Sequence, residues 1–314
     1  MRITPATHNL APVPLSLQQQ LIRRLGWPAV FLVCVMSLSL GMHFESGPLA
    51  FSIAYVWLAL TLFWMERQLP FAEEWLQDDG QMLPDLTHTV ISKALAYYLV
   101  VAGGSLGLFT EADPGSTWWP DAWPMVAQIV LGLVIAEFGL YWAHRISHEW
   151  SLLWPFHAVH HSVKRLWFFN TGRFHLMDTF RSTALALPPL FILGAPEFVF
   201  TWVSAVTAFI GLLTHCNIDF STRSLHWVFN TPSLHRWHHS PNAREGNTNY
   251  GENLMLWDVI FKTYFDPADR QPPKVIGISE FMPRDYWGQV WMPFRWRSVQ
   301  RAFALGRWDR GRAL

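Results

Sequence analysis

Long apolar segments dominate the first half of the chain and predict helices that cross a membrane. Four runs contain very few charged residues: 28–44, 48–65, 86–109 and 123–143. Each is close to the roughly 20 residues with which an α-helix spans the hydrocarbon core of a bilayer. We therefore expect about four spans, the third of them weakened at its start by His88 and Lys93.

A fifth apolar run, residues 182–214, is too long for a single span. Pro188 and Pro189 interrupt it, and residues 194–196 break it again. Because proline removes a backbone hydrogen bond from a helix interior, the run is predicted to fold back as a helical hairpin. The expected fold class is all-α: an integral membrane helical bundle of about four spans plus this hairpin.

The composition supports a membrane protein and limits its partners. Hydrophobic residues make up 51% of the chain and charged residues only 15%, whereas a soluble domain carries about 25% charge. The 19 Trp and 23 Phe suit positions at a membrane–water interface. The formal net charge is zero, so no nucleic-acid partner is expected. Two cysteines, Cys34 and Cys216, provide neither a disulfide framework nor a thiolate metal site.

The basic residues predict how the chain is oriented. Loops 45–47 and 110–121 contain no Lys or Arg, whereas basic side chains precede the first span and follow the fourth. By the positive-inside rule, the N-terminus, residues 66–85 and residues 144–181 lie in the cytoplasm. The hairpin then returns the chain to the same side. We expect a multi-pass protein of the cell membrane.

Four segments follow from this orientation. They are a cytoplasmic N-terminal arm (1–27), the transmembrane helices (28–143), a histidine-rich region that includes the hairpin 182–214 (144–265), and a cytoplasmic C-terminal tail (266–314). The histidine-rich region is expected to form a helical cap on the cytoplasmic face of the bundle.

Histidine is concentrated in that cap, where 11 of the 14 histidines lie between residues 144 and 239. Ten of them are candidate metal ligands: His144, His148, His157, His160, His161, His175, His215, His235, His238 and His239. Most are spaced i, i+3 or i+4, so on helices they share a face and each cluster can point to a common centre. Of the ten, His175 and His215 stand outside such clusters.

The number of imidazoles indicates two metal ions. One ion takes at most about six ligands, and imidazole suits Zn, Fe, Cu and Ni. Structural zinc uses four ligands, often Cys, so zinc alone leaves too many of these histidines unexplained. Two redox-active iron ions with open coordination positions account for the number better, and such positions are what dioxygen chemistry requires. Zinc is expected to be able to substitute for iron in a purified form.

The ordered motifs resemble the fatty acid hydroxylase / sterol desaturase superfamily of membrane di-iron oxygenases. The resemblance covers about residues 137–265 and rests on the following stretches: EFGLYWAHRISHE, FHAVHHS, GRFHLMD, THCNID, LHRWHHS and NTNYGENLMLWDVIFKTYF. It implies that the histidine motifs bind two irons on the cytoplasmic side of a mostly helical bundle. Lys262 stands where the family often has Gly. The THCNID motif supplies one histidine at most, and His175 is expected to complete the set.

Three other polar residues are candidates for the site. Glu137 lies seven residues before His144, two helical turns away on the same face. A carboxylate inside a span is costly and by default functional, and two roles stay open for it: orienting an imidazole or bonding another helix. Asp258 is a similar candidate, and Asn249 is predicted either to bond a histidine or the substrate head or to form a turn.

The predicted function is oxidation of a lipid. The enzyme would use dioxygen and two external electrons to hydroxylate, or to desaturate, a C–H bond of a fatty acyl, sterol or related lipid. The sequence has no dinucleotide, haem or iron–sulfur motif. A separate donor is therefore implied, such as a ferredoxin, a cytochrome b5-like protein or a reductase.

Three other classes of protein are alternatives to an oxygenase. A zinc-dependent membrane hydrolase would need a motif such as HExxH, which is absent. A metal transporter would place its ligands near mid-span. A non-catalytic protein that binds metal or lipid would have no need of complete histidine motifs.

Overall fold

The computed structural model describes residues 14–105 and 118–305, and within them the chain is helical with no β-strand. The α-helices are α1 Leu17–His43, α2 Gly47–Gln68, α3 Met82–Thr87, α4 Ala94–Ser105, α5 Met125–Glu149, α6 Trp154–His161, α7 Leu176–Ala186, α8 Pro188–Leu193, α9 Glu197–His215, α10 Pro232–His238, α11 Ala243–Gly246, α12 Leu256–Phe261 and α13 Tyr286–Ala304. A π-helical segment, His88–Lys93, joins α3 to α4, and short 3-10 helices lie at Glu73–Leu76, Phe168–Gly172 and Arg223–Leu225.

Four helices are long and apolar enough to cross a membrane: α1, α2, α5 and α9. The outer faces of α1 and α2 expose large apolar side chains such as Met36 and Leu60, 61% and 66% exposed. A soluble protein rarely exposes a continuous apolar face of this size, but lipid covers it favourably. The predicted all-α membrane bundle is confirmed.

The N-terminal arm is shorter than the sequence predicted, because α1 begins at Leu17 and not near residue 28. The Ser16 hydroxyl accepts a hydrogen bond from the Gln19 backbone, and the Gln19 side chain returns one from the Ser16 backbone. This reciprocal cap starts the helix in a polar segment that a hydropathy pattern does not mark as part of the span. Residues 1–13 lie outside the described residues, as do residues 306–314 of the predicted tail.

The third predicted span, 86–109, is continuously helical in the part that the structure describes, which ends at residue 105. Its chain passes through α3, the π-helical segment His88–Lys93 and α4. Its last residues, and loop residues 110–117, lie outside the described residues. The polar side chains His88 and Lys93 are the first and last residues of the π-helical segment.

The hairpin forms, but its two arms are unequal. Its first arm is divided at Pro188 into α7 and α8, and Gly194 ends α8 in the left-handed conformation at φ 76°. The second arm, α9, is continuous and long enough to span. Proline at the first position of α8 costs no internal hydrogen bond, so the chain turns there without leaving the helical region.

The packing of α5, α7 and α9 sets up the functional end of the molecule. A Cβ at Gly139 of α5 would meet the Leu185 carbonyl of α7, so glycine permits the close approach of these helices. On its other side α9 joins α1 and α2 in the main apolar core, around Leu38, Leu58 and Phe209. Gly132 of α5 contacts Val199 and Val203 of α9, so the two helices lie side by side from their N-terminal ends, and the residues at their C-terminal ends come together.

Candidate metal centre

Four segments carry nine clustered histidines to one end of the bundle. His144 and His148 occupy the last turns of α5, and His215 is the last residue of α9. The others come from α6 and from α10 with its C-terminal cap: His157, His160, His161, His235, His238 and His239. All nine are buried except His148, which is intermediate.

The nine histidines form two groups, and within each group the potential ligand atoms all lie within 4.8 Å of one another. The five-histidine group contains His144, His148, His157, His161 and His238. The four-histidine group contains His160, His215, His235 and His239. The number and arrangement suit two metal ions.

Each HxxHH motif is divided between the two groups. His157 and His161 join the five-histidine group, while His160 joins the four-histidine group. In the second motif the arrangement is reversed, since His238 alone joins the five-histidine group. Residues i and i+4 differ by about 40° around a helix, whereas adjacent residues differ by about 100°. The expectation that each motif points to one centre is therefore wrong, and each motif instead links two centres.

The Nε2 atoms of the five-histidine group face inward. His161 Nε2 lies 3.1 Å from His148 Nε2 and 3.1 Å from His157 Nε2. One ring nitrogen carries at most one proton, so His161 cannot donate to both neighbours. His161 Nε2 has either one proton or one lone pair in the ring plane, so only one of the two contacts can be a hydrogen bond, and a cation between the rings would satisfy the nitrogens that remain.

In the four-histidine group, too, the Nε2 atoms lie so close together that not every contact can be a hydrogen bond. His235 Nε2 lies 2.9 Å from His215 Nε2 and 3.1 Å from His239 Nε2, which in turn is 3.1 Å from His160 Nε2. A neutral nitrogen that donates a proton cannot also accept one in the ring plane. The contacts cannot all be hydrogen bonds, so this donor set fits a metal ion as well.

In the five-histidine group, outer hydrogen bonds fix most of the rings. His144 Nδ1 donates to the Tyr250 carbonyl at 2.7 Å, and His238 Nδ1 donates to the Thr248 carbonyl at 2.8 Å. The other two acceptors are side chains: Asn247 Oδ1 for His148 at 3.0 Å, and Asp178 Oδ2 for His157 at 2.8 Å. A donated Nδ1 proton leaves the lone pair on Nε2, the tautomer that a metal needs.

In the four-histidine group only one outer bond of this kind is present among the described residues. His215 Nδ1 donates to Asn170 Oδ1 at 2.9 Å. The Nδ1 atoms of His160, His235 and His239 are buried and have no hydrogen-bond partner within residues 14–105 and 118–305. The His160 ring is held by stacking on Phe174, with ring centroids 4.1 Å apart and planes inclined by 9°.

The electrostatics of the cap favour neutral imidazoles. Burial, reinforced by repulsion between neighbouring rings, holds the pKa of His160, His161 and His235 well below the ordinary value, and that of His239 likewise. Burial lowers the pKa of His238 to about 3. Neutral rings have the free lone pair that metal coordination requires.

Asp178 is the carboxylate nearest to the ligands. Burial acts to raise its pKa, but the imidazole of His157 and the guanidinium of Arg181 together hold that pKa below its usual value. Arg181 pairs with Asp178 and with the Ser147 hydroxyl. Asp178 is thus an ionised acceptor for His157.

The three candidate polar residues support the loop 247–253 and do not contact an imidazole. Glu137 accepts hydrogen bonds from the Glu252 and Asn253 backbones at 2.6 and 3.0 Å. These residues lie in a loop, so Glu137 bonds neither an imidazole nor another helix through these contacts. Asp258 accepts from the Tyr250 and Gly251 backbones at 2.8 and 2.7 Å. Since the Tyr250 carbonyl accepts from His144, Asp258 holds the backbone that in turn orients this ring.

Asn249 connects the loop 247–253 to neighbouring segments through its backbone and its side chain. Its backbone has φ 53°, in the left-handed region that asparagine tolerates. Its side chain accepts from the Phe265 backbone at 2.8 Å and donates to the Leu234 carbonyl at 3.2 Å. It therefore joins the loop to α10.

His175 lies outside both groups. Its Nε2 donates to the Val290 carbonyl at 3.0 Å, and its Nδ1 accepts from the Met177 backbone at 3.0 Å, so the ring caps α7. Both ring nitrogens are occupied, and the structure does not bring His175 to the other candidate ligands.

A cavity of about 160 Å³ opens between α5, α7 and α9 next to the histidines. Small and apolar side chains line most of it, including Ala136, Leu140 and Val203. Phe174, which stacks on His160, forms part of its wall. Two charged residues, Lys93 and Glu252, also line it.

Several of these contributors carry weak sequence signals. The carbonyls of Thr248 and Tyr250 act through the backbone, so no side-chain pattern marks them. Lys93 did carry a signal, because a charged residue in an apolar run is costly. From the sequence, Lys93 was expected only to weaken the third span, 86–109.

Nine inward-facing imidazoles at the end of an all-α membrane bundle define a class of histidine-rich membrane enzymes that oxidise lipids. The fatty acid hydroxylase family profile matches residues 129–263. The chain belongs to this family, within the superfamily that includes the sterol desaturases.

Characterised relatives are lipid hydroxylases and desaturases. The chain is 45% identical to the ornithine lipid hydroxylase of Rhizobium tropici over 87% of its own length and 84% of that protein. It is 29% identical to the alkylglycerol monooxygenase of Xenopus tropicalis, over 60% of its own length and 39% of the relative. It is 28% identical to the probable Delta(7)-sterol 5(6)-desaturase of Neurospora crassa, over 47% of its own length and 41% of the relative. No solved structure matches the chain.

Proposed function

We propose that this protein is a di-iron oxygenase that hydroxylates an ornithine-containing lipid at the cytoplasmic face of the cell membrane. The observation that carries the proposal is the division of nine clustered histidines, eight of them buried, into two groups whose ring nitrogens converge. The 45% identity to an ornithine lipid hydroxylase over most of both chains supports the substrate class.

Iron is the metal that best suits two all-imidazole sites in an oxidising enzyme. When bound, two iron ions supply redox-active centres with coordination positions at which dioxygen can be reduced. The five-histidine group and the four-histidine group would hold one ion each. His157, held by Asp178 at 2.8 Å, exemplifies how the chain orients a ligand before the metal arrives.

The protein's own contribution is to orient ligands, exclude water and position a carbon. Burial of eight of the nine rings keeps bulk water from the centre, and a dry site limits side reactions of reactive intermediates. The mostly apolar cavity beside the rings is the place where a lipid carbon can approach. Its walls come from α5 and α9, which are membrane-spanning candidates, so a lipid can enter from the bilayer.

Two electrons must come from outside the chain, which has no dinucleotide, haem or iron–sulfur motif. A ferredoxin, a cytochrome b5-like protein or a reductase would supply them. The excess of basic residues around residues 144–181 favours a cytoplasmic active site, where such donors are found.

The direct test is incorporation of labelled oxygen. The purified, iron-reconstituted protein is supplied with ornithine lipid, a chemical or enzymatic reductant and ¹⁸O₂, and the lipid is analysed by mass spectrometry. We expect a product heavier by one ¹⁸O atom. A product lighter by two hydrogens would change the assignment to a desaturase, and an unchanged lipid with no oxygen uptake would contradict the proposal.

A further inference from the structure

The cavity beside the histidines is small for a lipid. Its volume of about 160 Å³ is below the roughly 300–1,000 Å³ of sites that enclose a whole drug-sized ligand. It therefore has room for one part of a lipid, while two acyl chains have to remain outside, along the apolar surface of the helices. The chemistry of the lining decides which part enters.

The position of the cavity relates it to both histidine groups. Leu140 lies one helical turn before His144 on α5, and Thr207 lies two turns before His215 on α9. Phe174 forms a wall and also stacks on His160. A group in the cavity is therefore close to the place where the proposed function puts the chemistry.

Two opposite charges line this otherwise uncharged cavity: the ammonium of Lys93 and the carboxylate of Glu252. Both residues are half-buried. In the part of the chain that the structure describes, neither charged group has a hydrogen-bond or ion-pair partner within contact distance. By contrast, the nearby Asp178 and Arg181 satisfy each other.

The backbone of Glu252 is held beside the cavity by Glu137. Glu137 Oε1 accepts a hydrogen bond from the Glu252 backbone at 2.6 Å and from the Asn253 backbone at 3.0 Å. Burial raises the pKa of Glu252 to about 7, and the nearby ammonium of Lys93 acts against that rise. Partly buried charges without partners are costly, so a ligand with complementary charges gains by satisfying them.

We propose that Lys93 and Glu252 recognise a zwitterionic lipid head group, Lys93 binding its carboxylate and Glu252 its ammonium group. This rests on the proposed function, because it names the residues with which the same site selects its substrate. The small cavity then holds the head group, and the acyl chains follow the apolar faces of α5 and α9 toward the bilayer.

The test measures binding, so it does not depend on turnover. The detergent-solubilised holoprotein is titrated with three short-chain lipids: an acylated ornithine, its carboxylate methyl ester, and its side-chain N-acetyl form. For the wild type we expect each neutralised analogue to bind roughly tenfold or more weakly, since hydrogen bonds to charged groups are strong.

Each variant should lose its preference for only one of the two charged groups of the lipid, the carboxylate or the ammonium group. Lys93→Met should bind the free acid and the methyl ester equally, yet still prefer the free amine to the N-acetyl form. Glu252→Gln should show the opposite pattern, and Lys93→Arg should restore the preference for the free acid. Lys274→Met and Glu74→Gln remove exposed charges elsewhere and should leave both preferences unchanged.

The outcomes separate this inference from the proposed function. Equal wild-type affinity for all three lipids would overturn the head-group assignment, and it would mean that Lys93 and Glu252 merely neutralise each other. No binding of any ornithine lipid would contradict the proposed substrate itself. Iron content and gel-filtration volume verify that each variant is folded, and Lys93→Arg provides the test if Lys93→Met is not.

Discussion

The two histidine groups differ mainly in the hydrogen bonds that the Nδ1 atoms of their rings make to surrounding residues. In the five-histidine group, four rings donate Nδ1 protons to oxygen acceptors, one of them the carboxylate of Asp178. In the four-histidine group, only His215 has such an acceptor among the described residues. Outer partners orient a ring and raise its basicity. Under the proposed function, the first group would therefore be oriented for a metal by its outer hydrogen bonds, whereas three rings of the second group have no such bond in the described residues.

The largest effect is expected from removing a ligand. His238→Ala and His239→Ala each delete one imidazole, from the five-histidine and the four-histidine group respectively. Each should lower lipid oxidation more than about 100-fold, because losing a ligand costs more than losing an outer partner. Iron per chain should fall toward one in both variants, as measured by elemental analysis.

Two histidines provide controls for that experiment. His43→Ala removes an exposed ring at the end of α1 and should change neither activity nor iron. His175→Ala removes the cap of α7, which costs about 1 kcal/mol of stability, but it should retain both irons. Loss of one iron in His175→Ala would return that residue to the ligand set.

A smaller effect is expected when the carboxylate behind His157 is neutralised. Asp178→Asn keeps the shape of the side chain but removes its charge, so the iron affinity of the five-histidine group should fall roughly 10–100-fold. Asp266→Asn is the matched control, because Asp266 accepts from His226 at 2.9 Å in a pair outside both groups. Equal iron affinity in the two variants would show that the Asp178 carboxylate does not strengthen metal binding by the five-histidine group.

A third prediction concerns the order in which metal leaves. During dialysis against a chelator, the four-histidine group should lose its iron roughly tenfold faster, since three of its rings lack outer acceptors in the described structure. The time course should have two phases. The fast phase should disappear in His239→Ala and persist in His238→Ala, and the reverse pattern would invert the comparison.

The smallest effect is on the metal-free protein and should be common to both groups. Burial lowers the pKa of His238 to about 3 in the folded protein, against an ordinary value of about 6.5, and the pKa of His239 is lowered as well. The unfolded chain therefore binds more protons below pH 6.5, so stability should be constant above that pH and decrease as the pH falls below it. We expect the melting temperature in detergent to be level from pH 7 to 8 and several degrees lower at pH 5. A melting temperature that rises on acidification would contradict neutral buried rings.

The sequence predicted the membrane bundle and eight of the nine grouped histidines because both depend on periodicity, whereas His215 stands outside the periodic clusters. The i, i+4 pair His144 and His148 needs only a helix to share a face. The sequence did not predict how the HxxHH motifs divide, because the directions of His160 and His161 depend on how α6 packs against α5 and α10. Hydropathy likewise missed the capped start of α1 at Ser16, which is a local hydrogen-bond effect.

Tertiary contacts also explain the errors in individual roles. His175 resembles the other histidines in sequence, but its place at the start of α7 gives both ring nitrogens backbone partners. Glu137 shares a helical face with His144, yet the loop at Glu252 reaches it first. Such choices between a ligand and a scaffold role depend on chain segments more than 100 residues apart.

The most direct test of the central claim, that the two histidine groups hold two iron ions, is anomalous X-ray diffraction at the iron edge from crystals of the anaerobically reconstituted protein. The account predicts two iron peaks per chain, one within the group around His161 and one within the group around His239. A single peak, or peaks at both positions only at the zinc edge after iron reconstitution, would contradict it.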